Sequence, residues 1–459
     1  MKKNPIRLPF ELDPKLDESL ITAYAGLPLV VEMFRSTGGA AETDRLLRHK
    51  KKFLGLTPSE MLESVFCLWA SGGERCEDFE SFRSDRALAA LIGHRLPAPQ
   101  TARDFFDSFH KEDMLPIWSG EKCTVWNESP RLEALSLVNR KIIDYVQTRK
   151  PTTEATIDLD AVILECDRSE AERTYEGTKG YQPVVAMWAE QDLVLADEYR
   201  DGNVPAGCGN ARVVKKALEQ LPQWVAQIRF RADSACYQEE TMRLLEETSV
   251  GYAISADMTQ PLLAEILLLP ESAWQTETDE GEALRQWAEV VYVGGNVKGL
   301  TKSSSCPDRR YLVIRIIKKQ GYFFADGSDR RDHAVVTNRA GNGLELIQWH
   351  RLKAGTIEHV HDVVVNGLAG GKVSSKRFGA KAAWFRANTM LYNVLSALRH
   401  LTFPPELQKA RPKRLRFLLF NTVGRVVRHA REILMKMALE YCQWTFDFSR
   451  LRIHLKPAT

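Results

Sequence analysis

The stretch around Asp158 and Asp160 constrains the fold more than any other part of this chain. Ile157 and Leu159 alternate with the two aspartates, and a period of two is the pattern of a β-strand. The apolar run 161–164 follows, so we expect a strand in the centre of a sheet. A carboxylate is costly to bury unless its charge is compensated, and a bound divalent cation is one such compensation.

The composition indicates a large protein without membrane spans. The chain has 459 residues, 44% of them hydrophobic, which is enough for two to four domains with cores of their own. No run approaches the length of a transmembrane helix, and the first residues lack the apolar segment of a signal peptide. The eight cysteines are scattered singly, which predicts reduced thiols in a cytosolic protein rather than disulfides or a zinc site.

The net charge of +3 hides an uneven distribution. From Lys376 to the end there are 17 Lys and Arg residues against 4 Asp and Glu. Such an excess of positive charge suggests a polyanionic partner, most often nucleic acid. The simpler interpretation is a helical domain with a basic surface.

Residues 1–150 have the pattern of short helices separated by Gly and Pro. An amphipathic run covers 61–69, a second helix fits 86–92, and Thr101 with Asp104 resembles a capping box that opens a third. A helix-turn-helix that reads the terminal repeats of a DNA element and a plain packing domain are equally compatible with this pattern.

The remainder of the chain predicts a mixed α/β sheet. Strands and helices alternate over 151–256, a β-rich insertion covers 257–332, and the sheet resumes over 333–398. We expect a basic helical region over 399–459, with one helix near 425–441.

Three acidic residues occupy comparable positions in these elements. Asp160 lies in the first strand of the sheet, Asp233 ends a later strand and Glu358 lies on a long helix. Phosphodiester cleavage with two metal ions needs such a set, because each of the attacking and leaving oxygens is held by one cation. By spacing alone this indication is weak, since acids at strand ends are common.

The order of motifs resembles the DDE transposases of bacterial insertion sequences, in the branch with a Tyr-Arg-Glu-Lys signature and a β-strand insertion before the last acid. The resemblance covers most of the chain and depends on segments that are spread along it. These segments are 83–85, 91–101, 156–160, 179–181, 231–234, 336–338, 349–358 and 378–385.

The resemblance implies an RNase H-like mixed sheet interrupted by the insertion, with helical N- and C-terminal regions. It implies that Asp160, Asp233 and Glu358 form a catalytic triad that binds two Mg²⁺ or Mn²⁺ ions. The expected activity is cutting of transposon ends and joining of the 3′ ends to target DNA. The expected partners are double-stranded DNA, as terminal inverted repeats and target, and a second copy of the chain, in the bacterial cytoplasm at the nucleoid.

Several positions depart from the signature of that branch. Ala354 stands where the family has Arg, and Val365 stands where it has Lys. Contacts to DNA phosphates are therefore assigned to Arg351, Lys353 and Lys372. The departures leave a second hypothesis open, in which a transposase-derived protein binds specific DNA without cutting it.

Two further choices remain open in the sequence. Asp158 is the fallback for Asp160 as first metal ligand, because both lie on one face of the strand, about 6–7 Å apart. His359 and His361 follow Glu358 on the long helix, and together with Glu358 they suggest a metal site. Residues two apart on a helix point in different directions, so one metal site does not readily use both.

Overall fold

The computed structural model describes most of the chain. The described residues are 20–47, 55–111, 116–119, 124–293, 309–372, 375–429 and 432–437. No helix within these ranges is long and apolar enough to cross a membrane.

The N-terminal region is built from helices, as its pattern predicts. A short strand precedes them, and a two-stranded sheet separates the sixth helix from the seventh. The elements are β1 (Leu20–Thr22), α1 (Pro28–Ser36), α2 (Gly39–Leu47), α3 (Pro58–Ser71), α4 (Phe79–Phe82), α5 (Arg86–Ile92), α6 (Pro99–Asp107), β2 (Pro116–Ser119), β3 (Thr124–Trp126) and α7 (Pro130–Arg149).

The predicted capping box at Thr101 is wrong. Helix α6 begins at Pro99 after Ala98, whose side chain makes no cap, because Pro at the first position already has a helical φ angle. By contrast, Asp85 does cap α5, where its Oδ1 accepts a hydrogen bond from the Leu88 amide at 2.7 Å.

The next part of the chain forms the centre of a nine-stranded sheet. Its elements are β4 (Glu154–Ala161), β5 (Leu164–Glu165), β6 (Glu172–Arg173), β7 (Lys179–Tyr181), β8 (Val184–Trp188), β9 (Leu193–Glu198), α8 (Asn210–Gln220), β10 (Gln227–Ala232), α9 (Glu239–Glu247) and β11 (Gly251–Ala256). Strands β5, β6 and β7 form a small sheet of their own. In the large sheet, β9, β8 and β4 are antiparallel neighbours, whereas β10 and β11 continue parallel to β4. This mixed arrangement is consistent with the expected RNase H-like core.

The β-rich insertion extends the same sheet. Its elements are α10 (Gln260–Leu267), β12 (Gln275–Glu280), β13 (Ala283–Val290) and β14 (Arg310–Lys318), and β15 (Arg330–Thr337) brings the chain back. Strand β15 pairs with both β14 and β11, so the order across the sheet is β12-β13-β14-β15-β11-β10-β4-β8-β9. Strand β15 thus brings the chain back beside β11.

Two long helices follow the sheet. Helix α11 (Gly343–Asp362) contacts β4, β10 and β11 and continues into a π-helical turn over Val363–Gly367. Helix α12 (Phe378–Thr402) packs against α7 and β9. Gly379 allows the first turn of α12 to approach the backbone of His110, because an added Cβ would lie 2.5 Å from the Cα of His110.

The expectation of a helix over 425–441 is wrong for its described part. After α13 (Pro405–Gln408) and α14 (Pro412–Leu415), the chain forms a hairpin of β16 (Gly424–His429) and β17 (Glu432–Met437). Strand β1 pairs with β16 and completes a three-stranded sheet. Strand β1 lies some 400 residues before β16 in the sequence. The helical preference of this segment was therefore outweighed by pairing with a distant strand. Residues 438–459 lie outside the described part.

Aromatic packing joins the N-terminal helices to the rest of the molecule. The rings of Trp69 and Trp384 lie 4.7 Å apart, edge to face, and Phe106 lies 5.0 Å from Trp384. Twelve of the fourteen residues of α3 are buried, and a helix that enters a DNA groove needs an exposed face. Helix α3 is therefore a packing helix and not a DNA-reading one.

Arg386 of α12 ties three separate segments together inside the core. Its Nη2 lies 2.8 Å from Glu128 and 3.1 Å from Asp197, and its Nη1 donates to the carbonyl of Leu132 at 3.0 Å. Burial raises the pKa of Glu128, but Arg386 and Lys216 outweigh it and hold that pKa at about 2. Part of the basic excess after Lys376 is thus internal and unavailable to a polyanion.

We predict that Arg386→Met lowers the free energy of unfolding by about 3–5 kcal/mol, because it leaves the buried Asp197 without its cation and removes one of the two cations beside Glu128. Urea unfolding followed by circular dichroism measures the loss. The exposed Arg83 provides the control, since Arg83→Ala should change stability by no more than about 0.5 kcal/mol. A loss for Arg386→Met as small as that of the control would show that the network does not stabilise the fold.

Candidate active site

The two aspartates of β4 have different surroundings. Asp158 is fully buried, and Nε and Nη2 of Arg231 donate to its two oxygens at 2.7 and 2.8 Å. The hydroxyl of Thr356 on α11 also donates to Asp158. Burial raises the pKa of Asp158, and the Arg231 guanidinium opposes that rise. Asp158 therefore has no oxygen left open toward solvent, and its role is structural.

Asp160 lies beside Asp233 at the C-terminal ends of the neighbouring strands β4 and β10. Arg231 pairs with Asp158 and Ala232 with Leu159 across the parallel strands, so Asp233 follows at the level of Asp160. Neighbouring strands lie about 4.8 Å apart, and residues at the same level of parallel strands point to the same face. Burial, and then the charge of Asp160, raises the pKa of Asp233. The two carboxylates thus lie at neighbouring strand ends, and the charge of one acts on the other.

Lys353 supplies positive charge to the pair. Its Nζ lies 2.9 Å from Oδ2 of Asp160, while Oδ1 of Asp160 accepts from the Ala161 amide at 2.9 Å. The charge of Lys353 also lowers the pKa of Asp233, so it acts on both acids. The side chain assigned to DNA phosphate from the sequence therefore lies inside the carboxylate site.

Helix α11 is held over the strand ends by hydrogen bonds along one face. Nη1 of Arg231 donates to the carbonyl of Trp349 at 2.7 Å, and Nε2 of His350 lies 3.0 Å from the carbonyl of Ala232. Burial lowers the pKa of His350 to about 4, so this imidazole is neutral at neutral pH. The face of α11 that begins with these residues continues through Lys353 and Thr356 to the carboxylates.

Glu358 is more exposed to solvent than Asp160 and Asp233. Its side chain is exposed on α11, two residues beyond Thr356. Within the described ranges, no three His, Cys, Asp or Glu side chains come close enough together to hold a metal ion. The structure thus brings Asp160 and Asp233 together and leaves Glu358 on the open side of the same helix.

The other two predicted phosphate contacts are each paired with a carboxylate. Arg351 forms a two-pronged ion pair with the nearly buried Glu277 of β12, with Nη2 to Oε2 at 3.0 Å. Lys372 lies 2.8 Å from Glu74, and both side chains are about half exposed. Such an exposed pair contributes little energy, so Lys372 can exchange its partner at little cost.

Two residues near the carboxylates were not among the predicted site residues. Tyr175 is 74% exposed, and the charges of Asp160 and Asp233 contribute to its raised pKa after burial and Glu176. His361 is enclosed, and Asp160 and Lys353 are the charges that act on it. No motif marks Tyr175. His361 belongs to the pair of histidines already noted beside Glu358, and it follows Glu358 by three residues, which places both side chains on neighbouring positions of a helix.

The donor set fits a divalent cation. Asp160 and Asp233 offer carboxylate oxygens at one place, and their mutual repulsion is relieved there by the Lys353 ammonium. Oxygen ligands of this type suit Mg²⁺ or Mn²⁺. A buried imidazole nitrogen, Nε2 of His361, has no hydrogen-bond partner in the described structure.

A mixed sheet with two carboxylates at the ends of adjacent parallel strands, beneath a covering helix, is consistent with an RNase H-like fold. The chain belongs to the family described as transposase DDE domain group 1, which matches residues 15–456. Members of this family are transposases that generally use divalent metal ions. None of the curated proteins matches the chain in sequence.

Three solved structures are similar to the chain at low identity. The piggyBac transposase synaptic complex with hairpin DNA is 10% identical over 86% of this chain and 80% of that one, with a TM-score of 0.44. The Mos1 transposase paired-end complex with the left transposon end is 12% identical over 50% and 77%, with a TM-score of 0.17. The Mos1 mariner paired-end complex with Mn is 13% identical over 49% and 76%, also with a TM-score of 0.17. The family assignment depends on the sequence match.

We predict that Asp158→Asn and Asp160→Asn affect stability very differently. Asp158→Asn should cost about 3–5 kcal/mol, because it leaves the buried Arg231 guanidinium uncompensated. Asp160→Asn should cost less than about 1 kcal/mol, because the loss of the partly exposed Lys353 pair is offset by relief of repulsion with Asp233. Urea denaturation of both variants measures the difference, and equal losses would contradict the division into a structural and an open aspartate.

We predict that Asp233→Asn stabilises the protein at pH 7. The folded-state pKa of Asp233 is raised, so ionisation of this carboxyl disfavours the folded state as the pH rises through that pKa. The amide keeps the acceptor for the Ala235 backbone N–H, which lies 3.1 Å from Oδ1. Thermal unfolding at several pH values should show a gain at pH 7 that shrinks toward pH 4. A variant less stable than the parent at pH 7 would contradict this.

Proposed function

We propose that this protein cuts the ends of a DNA transposon by metal-dependent phosphodiester hydrolysis and joins the freed 3′ ends to target DNA. The observation that carries the proposal is the pair Asp160 and Asp233, two partly exposed carboxylates at the ends of adjacent parallel strands in a chain of the DDE transposase family. We further propose that the protein belongs to the insertion-sequence branch with the Tyr-Arg-Glu-Lys signature and that it acts at the bacterial nucleoid.

We assign Asp160, Asp233 and Glu358 as the carboxylates that hold Mg²⁺ or Mn²⁺, two ions per site. When bound, the ions activate the attacking oxygen and stabilise the leaving one. The protein positions the reacting groups and excludes other geometries. Glu358 reaches the site from the exposed side of α11, and Asp158 orients the strand through Arg231.

We propose that Lys353 both neutralises Asp160 and contacts a DNA phosphate. Its ammonium neutralises Asp160 before DNA arrives, and the site needs that compensation because Asp233 is nearby. A cation held by these carboxylates would take over that neutralisation, and the Lys353 ammonium would then be free to pair with a DNA phosphate. Lys372 and Arg351 lie farther out, and a DNA phosphate competes there with Glu74 and Glu277.

Joining two transposon ends requires two active sites, so we propose a homodimer on paired ends. The terminal inverted repeats and the target are both double-stranded DNA. Basic residues on the exposed faces of the C-terminal region supply electrostatic attraction, which makes the binding dependent on salt.

The second hypothesis is a DNA-binding protein that has lost catalysis. The exposed position of Glu358 and the absence of Arg and Lys at 354 and 365 favour it. It predicts salt-dependent DNA binding without cleavage under any metal condition.

We predict that Asp160→Asn, Asp233→Asn and Glu358→Gln each lower end cleavage by a factor of about 10³ or more, because each removes a negative ligand. The substrate is a labelled duplex carrying the inverted repeat that flanks the coding region, with Mg²⁺ or Mn²⁺ added. DNA binding, followed by mobility shift without metal, should stay within a few-fold of the parent.

The control is Glu345→Gln, an acid in the first turn of the same helix, thirteen residues before Glu358. It should cleave like the parent. If the parent binds the repeat yet never cleaves it, the non-catalytic hypothesis replaces the proposal. If Glu358→Gln alone stays active, Glu358 is not the third carboxylate.

A further inference from the structure

The turn after Asp233 is organised by the backbone of one residue. Asp233 follows β10 directly, and a 3₁₀ turn over Ser234–Cys236 comes next. Oδ1 of Asp233 accepts a hydrogen bond from the N–H of Ala235 at 3.1 Å. The direction of this carboxylate therefore depends on where the Ala235 backbone lies.

Asn210, the first residue of α8, holds the other backbone group of Ala235. Its Nδ2 donates to the Ala235 carbonyl at 3.2 Å and lies 3.3 Å from Sγ of Cys236. Asn210 is completely buried. A hydrogen bond in such surroundings is costly to lose, because water does not replace the missing partner. Ala235 is thus held at its N–H by Asp233 and at its carbonyl by Asn210.

A second contact orients the amide of Asn210. Nη1 of the buried Arg200 donates to Oδ1 of Asn210 at 3.3 Å, and Nε of Arg200 donates to Glu198 at 2.8 Å. A guanidinium has only donors and a carbonyl oxygen only accepts, so one orientation of the amide satisfies both neighbours. Asn210 therefore accepts from Arg200 and donates to Ala235.

The loop before α8 lies directly against the same turn. An added Cβ at Gly207 would lie 2.9 Å from the carbonyl oxygen of Ala235 and 2.5 Å from Nε2 of Gln238. A side chain at position 207 would therefore push the loop and the turn apart. The absence of one lets the start of α8 come within hydrogen-bond distance of Ala235.

The chain is also held on the other side of Asp233 in the sequence. Nε2 of His350 on α11 lies 3.0 Å from the carbonyl of Ala232. Side chains from two helices thus hold the backbone before and after Asp233, His350 before it and Asn210 after it.

We propose that Asn210 is a positioning residue that fixes the direction of the Asp233 carboxylate through the backbone of Ala235. The inference rests on the proposed function, because that function gives Asp233 its task in cleavage. A misplacement of about 1 Å at a reacting centre can lower a rate about a hundredfold. Loss of the Asn210 donor should therefore slow cleavage and leave DNA affinity unchanged.

Two substitutions separate this role from simple packing. Asn210→Asp keeps the shape of the side chain and its contact with Arg200, which compensates the new charge, but presents an oxygen to the Ala235 carbonyl. Asn210→Ala removes the donor and leaves a cavity. We expect kcat for end cleavage to fall about thirtyfold or more in Asn210→Asp and about tenfold in Asn210→Ala, with KM for DNA within about threefold of the parent. A packing role predicts the opposite order, because only Asn210→Ala removes volume.

Hydrogen exchange tests the positioning without metal or DNA. Mass spectrometry of the full-length protein follows the amides of the segment 233–238. Exchange there should be about tenfold faster or more in both variants, whereas exchange in β11 should change by less than about twofold. A general loss of stability would instead raise exchange in both places.

Asn139→Ala is the matched control. Asn139 is also a buried amide that donates to a backbone carbonyl, that of Val194 at 3.0 Å. The folded control should cleave like the parent and leave the exchange of 233–238 unchanged. Thermal unfolding followed by circular dichroism confirms that each variant is folded under the assay conditions.

The outcomes separate the inference from the proposed function. If folded Asn210→Asp cleaves within about threefold of the parent, or exchanges 233–238 at the parent's rate, the inference is wrong, and the proposed function stands while Asp233→Asn is inactive. A larger loss of cleavage in Asn210→Ala than in Asn210→Asp also overturns it. If Asn210→Asp does not fold, the exchange and kcat of Asn210→Ala decide. If the parent never cleaves, or Asp233→Asn cleaves like the parent, the proposed function fails, and the exchange alone decides whether Asn210 fixes the turn.

Discussion

The buried pair of Arg231 and Asp158 is the interaction on which the site depends. It joins β10 to β4 side by side through two short hydrogen bonds, at a position with no access to solvent. The same guanidinium donates to the carbonyl of Trp349, and the same carboxylate accepts from Thr356. Two strands and one helix are thus fixed by a single ion pair. In surroundings of low polarity, neither partner tolerates the loss of the other.

This pair explains why two aspartates in one strand differ in role. Both carboxylate oxygens of Asp158 accept hydrogen bonds from Arg231 or Thr356. Asp160, two residues further along β4, instead lies near a second carboxylate and a lysine at the C-terminal ends of the strands. A carboxylate whose oxygens all accept hydrogen bonds has no free oxygen to bind a ligand. Two carboxylates that repel each other are stabilised by any cation that binds between them. The repulsion between Asp160 and Asp233 is a cost that the fold tolerates at the place where chemistry is proposed.

The β-rich insertion supports the site helix. Its strands continue the central sheet, so α11 lies on one continuous surface from β13 to β4. Gly343 at the start of α11 packs against the Trp287 ring so closely that an added Cβ would lie 2.3 Å from it. Arg351 on the same helix reaches Glu277 of β12. The insertion therefore contributes to the placement of Lys353, Glu358 and His361 although it holds none of them.

The sequence by itself determined the strands and their faces. Period-two patterning identified the strand at 156–160, which lies within β4, because neighbouring side chains of a strand point to opposite faces. The helix predicted over 86–92 agrees with α5, which ends before Gly93. The resemblance to DDE transposases, rather than the pattern, placed Asp160 and Asp233 in one site. Only the tertiary structure distinguished Asp158 from Asp160 and paired β1 with β16. Those outcomes depend on partners far away in sequence, such as Arg231 for Asp158, and on the rotation of α11 over the sheet. Local pattern contains no information on which distant charge a buried group will meet.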